Sequence, residues 1–129
     1  MKDLKEHLEF EMTERFLIEM AQIGDIDNKL MIYVRSNDGG NIPHFHIVDK
    51  STLGKQYHTC VMIEVAKYFH HTGKEDVLNS KQRKSLVDFL SKDFDEDTTN
   101  WEYLIMTWNA NNSKSKISKK LPMPNYLEL

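Results

Sequence analysis

The stretch "NIPHFHIVD", residues 41–49, sets two histidines one residue apart directly behind a proline. Side chains along a β-strand alternate between faces. In an extended chain Phe45 and Ile47 therefore share one face, and His44, His46 and Val48 share the other. Pro43 has no amide hydrogen to donate, and it stands at the start of the run, where a strand tolerates it. The segment "YHTCVMIEV", Tyr57 to Val65, alternates in the same way. Tyr57, Thr59, Val61, Ile63 and Val65 make its apolar face, and His58, Cys60, Met62 and Glu64 lie opposite. A slip of one residue would set Phe45 and Ile47 against the mixed face, so the apolar pattern fixes the register. Joined through the polar segment "DKSTLGKQ" by a loop of about seven residues, the two strands bring His46 near Cys60 and His58 near Val48. The histidines are then expected on the face turned away from the main core.

Outward from this pair, "KLMIYVRS" at Lys29 to Ser36 is rich in β-branched and aromatic residues, and Asn37-Asp38-Gly39-Gly40 follows as turn chemistry. Upstream, Phe16, Leu17, Met20 and Ile23 recur at helical spacing in "TERFLIEMAQIGD". Thr13 reads as the N-cap of an N-terminal helix, and Gly24 as its stop. Downstream the period changes again. "NSKQRKSLVDFLSKDF" offers Asn79 or Ser80 as an N-cap and Leu86, Phe89, Leu90 and Phe94 as an apolar stripe. "TTNWEYLIMTWNANN" repeats the pattern with Trp101, Leu104, Ile105 and Trp108, after the acidic connector Asp95-Glu96-Asp97. The expected architecture is a single α+β domain, residues 1–129. A small antiparallel β-meander of about three strands packs with an N-terminal helix and two C-terminal helices. Residues 1–12 form an arm or helical extension, and residues 113–129 an extended tail.

Neutral imidazoles and a thiolate are the donors that zinc and similar borderline metals prefer. His44, His46, His58 and Cys60 are accordingly the candidate ligands of a divalent metal such as zinc. Three histidines with an open fourth position would suit a catalytic ion, and the addition of Cys60 would close a structural one. Two other readings stand beside this one: a metal-free acid–base or polar-ligand site, and ordinary packed residues beneath the helices. Glu64 is the candidate general base or ligand-orienting carboxylate. Its ordinary role would be a solvated strand charge. His70 has the parity to join the cluster if the strand continues, while His71 and His7 carry no role. Trp101 and Trp108, two helical turns apart, read as core anchors. Cys60 lies mid-strand with no helix N-terminus to lower its pKa, which argues against a nucleophile.

The bulk numbers narrow the classes. The chain has 129 residues, 40% hydrophobic and 29% charged, an ordinary globular composition able to bury a core. A formal charge of −3 supplies no basic field for general nucleic-acid binding. One cysteine cannot form an internal disulfide, and with no apolar leader or run of about 20 apolar residues the expected home is the cytoplasm. Glycine-rich phosphate loops, Gly-x-Ser-x-Gly elbows and His-Glu-x-x-His helices do not occur.

The run Pro43-His44-Phe45-His46-Ile47, with a strand after it and Asn100-Trp101 in the second of the following helices, resembles a small bacterial family of unknown function. Its members carry a Pro-His-Phe/Val-His-Val strand. Such proteins are often encoded beside a small partner, in arrangements like those of toxin–antitoxin or mobile-element modules. The resemblance spans roughly Leu30 to Trp108. The chain departs from it in the N-terminal segment, the polar tail and a longer loop before the third strand. It implies the fold and the importance of His44 and His46, and no reaction. Two functional expectations follow. One is a histidine-lined sheet face that binds a metal or small polar ligand, with metal-assisted hydrolysis as the reaction if there is one. The other is a non-enzymatic inhibitor or antitoxin-like protein that binds a protein partner, through Asp95 to Asp97 or the tail.

Overall fold

The computed structural model describes residues 20–36, 42–69, 73 and 75–129. Four strands, β1 (Met20–Ile26), β2 (Leu30–Arg35), β3 (His44–Asp49) and β4 (His58–Met62), form one antiparallel sheet in the order β1-β2-β3-β4. Helices α1 (Ser80–Ser91) and α2 (Asn100–Asn111) follow, then a 3-10 turn at Tyr126–Glu128. Among the described residues no helix is long and apolar enough to cross a membrane. The α+β meander is as expected, with one strand more.

That strand is β1, and it corrects the expected N-terminal helix wherever the two overlap. Pairing with β2 runs from Gln22↔Tyr33 directly to Gly24↔Ile32, which leaves Ile23 as the extra residue of a bulge. A bulge adds one residue to a two-residue period. Ile23 and Ile26 are therefore both buried although they stand three apart, the spacing that resembles a helix. Gly24 is no helix stop: it lies mid-strand, where a Cβ would overlap the Phe89 ring of α1. Residues 1–19, the turn at 37–40, and His70 and His71 lie outside the described residues.

Leu30, Ile32 and Val34 of β2 and Phe45 and Ile47 of β3 face the helices. They pack with Val61 and Ile63, with Leu86 and Leu90 of α1, and with Trp101, Leu104 and Trp108 of α2. Thr59, opposite Ile47, points into this core with an Oγ1 that finds no hydrogen-bond partner. A buried hydroxyl without a partner costs more than the apolar group of the same shape. Thr59→Val is thus expected to raise stability by about 1 kcal/mol, read as a higher urea midpoint at unchanged slope.

The third expected strand, Tyr57 to Val65, is shorter than its alternation suggested, and Glu64 and Val65 lie exposed beyond its end. The chain then folds back along the outer edge of β4. The Lys67 carbonyl accepts from the Met62 N–H (2.9 Å), and the Phe69 and Asp76 N–H groups donate to the Cys60 and His58 carbonyls at 2.9 and 2.7 Å. These contacts shield the edge from pairing with another chain.

Both helices start on a capping box. Asn79 exchanges side-chain bonds with Gln82, and Thr99 with Glu102. Buried Asn100 closes the other end of α1, its Nδ2 donating to the Phe89 carbonyl at 2.8 Å. Phe94, read as part of the α1 stripe, lies past the helix end at 48% exposure and stacks on Tyr103.

The C-terminal segment is fastened to α2. The Trp108 and Trp101 indole N–H groups donate to the Ser115 and Leu121 carbonyls at 2.9 and 2.8 Å. Asn109 binds both the N–H and the C=O of Ile117. Tyr126 then enters the core at 0% exposure.

Asp49 organises the β3–β4 loop. Its carboxylate accepts from the Thr52, Gly54 and Tyr57 backbone N–H groups at 2.8, 3.1 and 3.1 Å and from the Ser51 and Thr52 hydroxyls. Gly54, at φ +97°, supplies the left-handed backbone that the turn requires. Burial pushes the Asp49 pKa up, but these donors outweigh it and hold the carboxyl well below the usual range. A depressed folded-state pKa stabilises the fold above the unfolded value of about 3.9 and is lost as pH falls below it. The stability gap between wild type and Asp49→Asn should therefore be widest at neutral pH. It should narrow progressively below about pH 4 in denaturation curves taken along a pH series.

Candidate metal centre

Registry between β3 and β4 pairs His44 with Met62, His46 with Cys60 and Val48 with His58. The parity read from the sequence therefore holds for the even-numbered residues from His44 to Met62. It brings His46, His58 and Cys60 together. His46 Nδ1 lies 2.9 Å from His58 Nε2 and 3.2 Å from Cys60 Sγ, and the sulfur is 3.5 Å from His58 Nε2. This group could hold a metal ion.

The face that carries it is buried, not open. His46 and Cys60 are 2% and 0% exposed, and His58 is half-buried. Met31, Tyr33, Val48 and Leu53 form a small apolar cluster on the same side. The Tyr33, His46 and His58 rings stack nearly parallel across three adjacent strands, with centroids 4.7 and 5.2 Å apart and planes within 5° and 11°. Strands are spaced by about 4.8 Å, so direct pairing sets the Tyr33–His46 stack, and His58 joins it from the diagonal position. The main chain of His58 is fixed by Asp76, whose Oδ2 accepts the His58 N–H at 2.9 Å. Neither Tyr33 nor Asp76 was singled out in the sequence. Tyr33 was findable, because β2 alternates and places it beside His46. Asp76 was not, because it reaches β4 through an irregular segment.

Two expected members stand apart. His44 is fully buried next to the group but not in it. Its Nδ1 lies 2.9 Å from the Ile42 carbonyl, which can only accept, so Nδ1 carries the hydrogen. Its ring stacks on Phe69 at 4.3 Å and tilts against Trp108 at 5.5 Å. Glu64 falls beyond β4 in an exposed bend and is no part of the group.

No protein-family model, curated protein or solved structure matches the chain.

Proposed function

We propose that this protein binds a divalent metal of the zinc class through His46 Nδ1, His58 Nε2 and Cys60 Sγ. The supporting observation is the size of the donor triangle, with edges of 2.9, 3.2 and 3.5 Å. Its circumscribed radius is about 1.9 Å, slightly less than the zinc–nitrogen and zinc–sulfur bond lengths of about 2.0–2.3 Å. An ion bonded to all three donors at those lengths sits about 1 Å out of their plane, with its outer side left for a further ligand. The nitrogen and sulfur donors select zinc and its neighbours over magnesium or calcium, which require oxygen. Three protein donors are also the number found in catalytic zinc sites. Metal-assisted hydrolysis is the reaction class this reading carries, with the ion lowering the pKa of a bound water.

The deciding experiment is the metal content of protein prepared without a histidine tag, before and after reconstitution with zinc. One equivalent per chain, removed by a chelator with a fall in melting temperature, supports the reading. No bound metal after reconstitution overturns it.

A partner-binding role has one structural observation in its favour. The half-exposed Phe94 sits in the acidic turn between the helices, where the Asp95 carboxylate orders the turn by accepting from the Asp97 N–H. Charge reversal at Asp95 and Asp97 that leaves co-purification of a partner unchanged would count against it.

A further inference from the structure

Resting on the metal reading above, we infer that the ion's fourth position takes one small monoanion from solvent, entering along His58. Charge carries the first part. Two neutral imidazoles and one thiolate leave a divalent ion with a net charge of +1, and among the described residues no carboxylate belongs to the group. The Asp76 carboxylate is engaged with the His58 backbone N–H. A net charge enclosed between buried side chains is costly until it is neutralised, and a single monoanion on the ion neutralises it. Access carries the second part. His46 and Cys60 are closed to solvent, and His58 is the donor that keeps exposed surface.

The ligand class is therefore hydroxide near neutral pH, exchangeable for azide or thiocyanate. A dianionic ligand would overcompensate the charge. The exchange is a simple substitution: the incoming anion forms its bond to the ion as bound hydroxide leaves with a proton from solvent as water.

The test uses the whole chain loaded with cobalt(II), which substitutes for zinc and reports its surroundings by absorption. A thiolate-to-cobalt charge-transfer band that is lost in Cys60→Ser shows that Cys60 ligates the ion. Titration with azide is then expected to shift the visible ligand-field bands along a saturable one-to-one curve, with thiocyanate competing. Tetrahedral bands that do not move at any azide concentration would mean that the chain itself supplies the fourth donor. That result overturns the inference and leaves the metal reading intact. No charge-transfer band at all overturns both.

Discussion

Tyr126→Ala is expected to destabilise the fold by about 4 kcal/mol, in the range of large-to-small changes at a buried aromatic. The ring is fully buried and meets Phe45 and Trp101 edge-on, at centroid separations of 5.8 and 6.1 Å. Its hydroxyl donates to the Met62 and Ile63 carbonyls, at 2.8 and 3.2 Å. Removing the ring leaves a cavity between the sheet and the two helices and strips a donor from the end of β4. Tyr126→Phe separates the two effects: it keeps the packing and loses only the hydroxyl, for about 1–2 kcal/mol. Urea denaturation of the three proteins reads both numbers. A Tyr126→Ala loss below about 1 kcal/mol, within the range of surface substitutions and their errors, would show that the tail is not part of the core.

The second large effect is a contrast between neighbours on the histidine face. Cys60→Ser, which barely changes volume, should weaken zinc binding by more than about a hundredfold, beyond what losing a group that only orients a ligand costs. His44→Gln should weaken it by about tenfold at most, because the His44 ring packs on Phe69 and Trp108 outside the donor group. Zinc competition titrations on the folded variants measure both. Equal losses at the two positions would mean that the trio is not the binding site. The contrast also revises the sequence reading, which gave His44 and His46 equal weight as ligands.

Parity made the trio legible. A strict two-residue period on β3 and β4, with large aliphatic residues on one side, left one register, and that register determined which imidazoles met the thiol. It could not reveal that the second face is also buried, because burial of a mixed face depends on contacts distant in sequence. Phe69 is one, stacked on His44 from beyond β4. Parity alone could not separate His44 from His46; the register does, setting His46 opposite Cys60 and His44 opposite Met62. At β1 helical spacing misled: of the residues that carried it, Phe16 and Leu17 lie outside the described residues, and Met20 and Ile23 stand in a strand. In the tail the signal was absent. Single anchors such as Tyr126 and the carbonyls of Ser115 and Leu121 have no period, and the partners that hold them are spread over α2, β3 and the end of β4.

The fastening of Tyr126 to the end of β4 also orders events in time. The bonded groups are 64 residues apart, so that contact closes one of the longest loops in the described chain, whereas each sheet pairing joins consecutive strands. Local pairings form first and long closures last. On a translating ribosome the meander can pair, with its trio assembled, before Tyr126 has been made. In that interval the sheet's apolar side is only partly covered, and chaperones or proteases would find the nascent chain most vulnerable there.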